Sequence, residues 1–315
     1  MPVFAYQSLN SNASIDHGVG ASKSQYFTRV THDHSAKISS GGWMLSLPIN
    51  PNLAPDIPLY GPAQLLPTAA QGYMNKGQHD DITFRDMVQR KALQTHQNLI
   101  RAFGTGFNLL VYGELDSGHS DWASMQQSAG RLLRVSSAEM ACNSFSVHAD
   151  NQRGMHRYLG EGQGWIAVES YGVVAVFVHV PNAIATSDNK TIDFYAAINK
   201  KILQAGAGGI DIIMGDTNQA SNGFTPKVVT SALGQSFEDA HPQSTIQPYD
   251  SYQRDFQGTN STGTKKYDVA VYNRQTVKVK EMIYLTQFTP VSSQSSYMTA
   301  AVTDHMGVAV RVEKV

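Results

Sequence analysis

Sulfur chemistry is almost absent from this chain, which has one cysteine, Cys142, in 315 residues. A lone thiol makes no intrachain disulfide and no thiolate cluster, so any metal must be held by oxygen or nitrogen. Long apolar runs are missing too: none approaches the roughly 18 residues that a membrane-crossing helix needs. The N-terminal segment MPVFAYQSLNSNASIDHG lacks a charged section followed by an apolar one, so it does not read as a conventional signal peptide. Nor is there charge of one sign, since 24 Lys and Arg against 25 Asp and Glu leave a net charge of −1. Without a global basic field, a polyanionic partner has to be met by local Lys and Arg or by a bound cation. These absences predict a soluble protein, cytoplasmic or exported without a conventional signal peptide.

What is present suits a packed core. At 41% hydrophobic and 16% charged residues, the chain can bury the interior of one large domain or two small ones. Residues 1–40 are polar and weakly periodic and read as an irregular lead-in, with the functional domain over 41–315. WMLSLPIN (43–50) reads as an early strand ending in Asn50, followed by a proline-rich surface excursion from Pro51 to Pro67. Apolar spacing of three and four predicts an amphipathic helix over 83–103. FNLLVYGEL then reads as a buried strand ending at Glu114. WASMQQSAGRLLR suits a helix and SSAEMACNSFSV a strand. GWIAVES and VVAVFVHVPN are two strands around a Tyr-Gly turn, and the second carries His179 near its end. A second amphipathic helix begins at Ile192, and KVVTSALGQSFEDA reads as another. YDVAVYN, KVKEMIYL and a C-terminal strand after Asp304 and His305 complete the alternation, which is α/β in character.

The stretch GIDIIMGDTNQ (209–219) organises the rest. Three apolar residues end a buried strand, and Gly215 is expected to release the backbone so that Asp216 and Asn218 emerge together. The same pair also suits a plain Asx-turn. Acids, amides and histidines close several other strands: Asn50, Glu114, His179, Asp268, Asp304 and His305. Functional groups of sheet proteins gather at one end of the strands, so the set predicts one pocket. Its chemistry suits hydrolysis of a phosphate ester with a divalent cation. Carboxylates hold the hard cation, an acid or histidine activates water, and a second histidine donates a proton.

GDTN at 215–218, TDH at 303–305 before an apolar strand, Glu114, HVPN at 179–182 and YD at 267–268 together resemble the endonuclease/exonuclease/phosphatase superfamily, the deoxyribonuclease I-like proteins. The resemblance runs over about 43–315 and lies nearest the nuclease and cytolethal-distending-toxin branch. It implies a four-layer α-β-β-α sandwich with two mixed β-sheets. It also implies Mg²⁺, with Mn²⁺ or Ca²⁺ as alternatives, held by Glu114, Asn50 and Asp304. In the same scheme His179 contacts the scissile phosphate or acts as acid, and Asp216 polarises the attacking water. Asn218 holds a phosphate oxygen, and His305 faces the phosphate, oriented by Asp268. The chain departs from the family pattern at Gly113, where Gln is common, at Thr217, where Phe is common, and at Thr303 in TDH.

The implied activity is phosphodiester hydrolysis, with DNA favoured as substrate and a toxin role suggested by the branch. Arg153 and Arg157, together with Arg131 and Arg134, are candidate phosphate contacts; the same residues also suit ordinary solvated charge. A phosphomonoesterase or a phospholipid or sphingomyelin phosphodiesterase would use the same set. A binding protein on this scaffold, with catalysis lost, is the third reading.

Overall fold

The computed structural model describes residues 1–8, 103–115, 131–135, 144–150, 152, 154–219, 224–241, 266–285, 288–290, 299–301 and 307–315. In chain order they form β1 (Val3–Ser8), β2 (Leu109–Leu115), β3 (Arg131–Val135), β4 (Ser144–Ala149), β5 (His156–Gly162), β6 (Trp165–Ser170) and β7 (Val173–His179). The short helix α1 (Asn182–Ala185) and the long α2 (Asp188–Gln204) lead to β8 (Ile212–Asp216), α3 (Phe224–Leu233) and β9 (Phe237–Asp239). β10 (Asp268–Asn273), β11 (Val277–Leu285), β12 (Phe288–Pro290), β13 (Thr299–Ala301) and β14 (Gly307–Lys314) follow.

Two six-stranded sheets result, in the orders β11-β14-β1-β2-β4-β3 and β5-β6-β7-β8-β10-β9, while β12 and β13 pair apart from both. Each sheet is mixed, with one parallel pair at its centre: β1 with β2, and β7 with β8. Strand alternation sends every second side chain to one face. Phe4, Tyr6, Leu109, Val111, Phe145, Phe177, Met214, Ala270 and Val310 all turn inward and fuse into a core between the sheets. The other face of the second sheet, with Val174, Val176, Val178, Ile213 and Val271, packs on α2 through Tyr195, Ile198 and Ile202 and on α3 through Val228 and Val229. The architecture is an α/β sandwich of two mixed sheets. The helix expected over 83–103 lies outside the described residues apart from Phe103. Among the described residues no helix is long and apolar enough to cross a membrane.

Local chemistry accounts for several boundaries. α2 starts at Asp188 rather than Ile192 because the Ser187 side chain accepts from the Lys190 N–H and Asp188 sits at the positive end of the helix dipole. Tyr171 and Gly172 both have positive φ, 53° and 75°, the signature of the two-residue turn that joins twisted strands such as β6 and β7. Gly215 does not end β8 as expected. Its φ of 138° lies within the strand, and a Cβ there would meet the Val178 carbonyl oxygen at 2.1 Å. Glycine is what lets β8 come alongside β7.

Two expectations need correcting. The lead-in begins as strand, not as irregular chain: Val3–Ser8 is buried along its whole length, with β14 on one side and β2 on the other. Residues 9–40, and with them the boundary at 41, lie outside the described residues. The end of the helix expected at WASMQQSAGRLLR is also strand: Arg131–Val135 pairs with β4 at the sheet edge, so tertiary pairing overrides local propensity.

At the end of the sandwich where β6 gives way to β7, a polar brace joins the two sheets. Asp150, just after β4, accepts from Tyr171 Oη at 2.6 Å, Asn108 Nδ2 at 2.7 Å and the Gln152 N–H at 3.0 Å. His156 Nε2 meets the same carboxylate at 2.8 Å, and its Nδ1 pairs with the Ser170 hydroxyl at 3.0 Å. The order serine, imidazole, carboxylate is that of a hydrolase relay, but Ser170 is fully buried, so no substrate reaches it and the chain of bonds is structural. Burial alone would raise the Asp150 pKa; the bonds from Tyr171, His156, Asn108 and Gln152 outweigh it and hold the group below its ordinary value. On the outer face of the first sheet, burial lowers the His148 pKa from 6.5 to about 4.

Both groups make stability fall with acid. The unfolded chain protonates His148 at a pH where the folded one does not, so stability declines as pH falls from about 6.5 to about 4. Asp150 has a depressed folded pKa, so its contribution is present above the unfolded value and is lost below it as the carboxylate protonates. Urea unfolding across this range should show both limbs, and His148→Phe should flatten the upper one. Asp150→Ala should cost about 2–3 kcal/mol at neutral pH by leaving the buried imidazole and its neighbours without their acceptor. A loss below about 0.5 kcal/mol would remove the brace from the account.

Candidate functional site

The parity that buries the core also builds the site. Tyr6, Phe177, Met214 and Ala270 point between the sheets, and two residues further toward one rim the same faces carry Ser8, His179, Asp216 and Asp268. Ser8, His179 and Asp216 end β1, β7 and β8, while Asp268 begins the antiparallel β10 directly opposite Asp216. The two parallel pairs thus deliver their carboxyl ends to one hollow, where such sheets bind ligands.

Glu114 joins them by breaking parity. In a regular β2 it would share the outward face of Leu110 and Tyr112. Instead the register slips between Tyr112 and Leu115, so that two residues oppose one of β4. Glu114 takes the left-handed conformation with φ 54°. A bulge of this kind re-aims a side chain, and a non-glycine residue held there costs about 1–3 kcal/mol. The strain turns the carboxylate inward. Its Oε1 lies 3.1 Å from His179 Nε2, which is itself 3.9 Å from Asp216 Oδ2. Ser8 Oγ donates a short hydrogen bond to Glu114 Oε2.

Among the described residues, Glu114, His179 and Asp216 form one group whose ligand atoms all lie within 4.8 Å of one another. Asp216 and His179 are buried, at 1% and 8% exposure, and Glu114 is partly so. Two carboxylates gathered this closely offer negative charge to a single point. The donor set therefore fits a cation. Two carboxylates suit a hard divalent ion such as Mg²⁺ or Mn²⁺, and an imidazole in the set also suits a transition metal.

The loop after β8 is fastened on three sides. Asp216 Oδ1 accepts from the Asn218 N–H at 2.7 Å, an Asx-turn, and Asn218 has φ 52°, so the two side chains are not in the extended relation expected from their spacing. Asn218 Nδ2 donates to the Val180 carbonyl at 2.8 Å, which commits part of the amide to tying the β7 and β8 loops together. Thr217 donates through its N–H and its hydroxyl to the Tyr267 carbonyl, at 2.9 and 3.0 Å, so the threonine that departs from the family pattern clamps the segment leading to Asp268. Gln219 bridges Thr191 of α2 and Thr225 of α3.

The expected site residues divide as follows. Glu114, His179, Asp216 and Asp268 share the rim, and Asn218 sits in the loop beside it. Asn50, Arg153, Asp304 and His305 lie outside the described residues. The strand expected to end at Asn50 lies outside the described residues with it; β1 runs beside β2 and brings Ser8 to Glu114. Arg157 is corrected as well. Its Nε donates to Glu169 at 2.9 Å and its Nη1 to the Ala205 carbonyl at 3.0 Å. It sits opposite Glu169, which pairs in turn with Val174, so five residue steps of β7, roughly 17 Å, separate that level from His179. Ser8 and Tyr6 were missed because the polar stretch after them masked the β-forming run VFAY. That run, hard against Met1, was the available signal.

No family model matches the chain, and no curated protein matches it in sequence. Solved structures do. An endonuclease/exonuclease/phosphatase family protein from Bacteroides thetaiotaomicron superposes with TM-score 0.45 at 12% identity, covering 71% of this chain and 86% of that one. A mannosyl-6-phosphatase from the same organism gives 0.43 at 12% identity over 72% and 91%. A 3′-5′ exonuclease from Neisseria meningitidis gives 0.42 at 14% identity over 70% and 94%.

A cation held by this group should stabilise the fold. Binding at a hundred times the dissociation constant adds roughly 2.7 kcal/mol, so Mn²⁺ should raise the melting temperature, EDTA should reverse the rise, and Glu114→Ala should abolish it. A rise that survives Glu114→Ala would place the ion elsewhere.

Proposed function

We propose that the protein is a divalent-cation-dependent phosphodiesterase of the endonuclease/exonuclease/phosphatase type, with DNA as the favoured substrate. The observation that carries the reading is the meeting of Glu114, His179 and Asp216 on the shared rim, from strands far apart in sequence and in the order that the motifs imply. A cation bound there would offset charge on the phosphate and its leaving oxygen. Glu114 would hold it, with Ser8 orienting the carboxylate from behind.

Asp216, at the carboxyl end of β8, is the base that takes a proton from the attacking water. It is buried and pinned through Oδ1 by the Asn218 N–H, which fixes the direction of its second oxygen. His179, on the same face of the neighbouring strand, presents Nε2 into the hollow, where it donates to a phosphate oxygen or to the leaving group. Asp268 sits opposite Asp216, in position to orient a further donor, the role we assign to His305. Asp304 and Asn50 complete the proposed cation set, Arg153 is kept as a phosphate contact, and Asn218 steadies the loop with its remaining polar atoms toward substrate. The site is organised for phosphoryl chemistry. The choice of a diester rests on the histidine closing β7 and on the motif resemblance.

Purified protein with Mg²⁺ or Mn²⁺ should nick supercoiled plasmid and stop on addition of EDTA. His179→Ala and Asp216→Ala should each lower the rate by at least about 100-fold, the scale of a lost general acid or base, with unchanged circular dichroism. Release of inorganic phosphate from small monoesters, with plasmid left intact, would replace the diester reading by a phosphomonoesterase.

A further inference from the structure

We propose that Tyr6 is a positioning residue: its hydroxyl fills the space beneath Gly113 and so sets the turn that aims Glu114 at His179 and Asp216. The inference rests on the reading of Glu114 as the residue that holds a cation at this rim, and not on the phosphate ester as substrate.

The ring of Tyr6 has no freedom to move aside. It is fully buried and stacks on Phe177 across the sheets, with centroids 6.5 Å apart and planes 19° from parallel. β1 is pinched by glycines on both neighbouring strands. A Cβ on Gly307 of β14 would meet the Tyr6 carbonyl oxygen at 2.3 Å, and one on Gly113 of β2 would meet the Tyr6 hydroxyl oxygen at 2.3 Å, Cζ at 2.9 Å and Cε2 at 3.0 Å. Gly113 is not among the glycines with positive φ, so its backbone would accept alanine and only the tyrosine forbids one. The residue after it is the strained Glu114. Hydroxyl, glycine and left-handed glutamate form one contiguous unit, in which a side chain at 113 would push β2 off Tyr6 and rotate the carboxylate with it.

The hydroxyl is also the right chemical group for this place. It adds no negative charge to the site. A phenylalanine would keep the ring but lose the oxygen that touches the bulge.

The test is Mn²⁺ affinity of the full chain by titration calorimetry, with melting temperatures in EDTA as the measure of fold alone. Gly113→Ala should weaken Mn²⁺ binding at least about 10-fold, the usual scale for groups that orient metal ligands, and Tyr6→Phe by a similar or smaller factor. The double variant should bind no worse than Gly113→Ala and regain part of the loss, because the closest clash is gone. Should Gly113→Ala fail to fold, Tyr6→Phe alone decides. Wild-type affinity in either folded single variant would overturn the proposal, as would losses that simply multiply in the double. Variants that behave as expected in a protein that hydrolyses no phosphoester would sink the proposed activity and leave this assignment standing. No Mn²⁺ binding by the wild type would end both.

Discussion

Inner face against inner face is the constraint on which this molecule depends. Once Phe4, Tyr6, Phe177, Met214 and Ala270 are committed to the gap between the sheets, the period of the strand leaves no choice about Ser8, His179, Asp216 and Asp268. A register slip of one residue in β7 or β8 would expose core and remove a site residue together. Core packing and site geometry are therefore one selection, and the energy that fixes the first, hydrophobic burial, also holds the second in place.

Glu114 shows what parity cannot supply. Stacked sheets lie roughly 10 Å apart, and ligand atoms within 4.8 Å require side chains reaching from both sides. The second sheet gives His179 and Asp216 without distortion. The first sheet gives its acid only through a bulge, so strain is concentrated in the strand opposite the loop that is most tightly fastened. Two of the residues that differ from the motifs of the family the chain resembles, Gly113 and Thr217, lie on these elements. Gly113 makes room for a tyrosine, and Thr217 replaces a large apolar residue with a hydroxyl that grips Tyr267. Both are coherent with their neighbours, which is what consistency across levels looks like at single residues.

Much of this was legible in sequence, and the gaps have physical causes. The runs around β7, β8, β10 and β14 are apolar enough to be read as buried strands, and His179, Asp216 and Asp268 close or open them visibly. α2 was found by its periodicity but entered late, because the start is set by the Ser187 side chain rather than by the apolar stripe. β1 was lost because six buried residues precede a long polar stretch and were averaged with it. β5 is hard to read from sequence because it lies at the sheet edge among the described residues and few of its residues are buried, so that it carries little hydrophobic pattern. The Asx-turn and the functional reading of Asp216 and Asn218 were posed as rivals, yet the structure holds the turn at the same place as the candidate base. Arg157 differs for another reason: a place between Glu114 and His179 in the sequence says nothing about which end of a strand a residue occupies.

The two ends of the sandwich do opposite work. At one, Asp150, His156, Ser170, Tyr171 and Asn108 satisfy one another so fully that little polar capacity is left for a ligand, and the end is closed. At the other, acids and an imidazole gather beside buried Tyr6 in an arrangement that favours an added positive charge. In the proposed reading, a bound cation would offset the mutual repulsion of those carboxylates. A cation bound there would couple binding to folding through the inter-sheet contacts that hold Glu114 against His179 and Asp216.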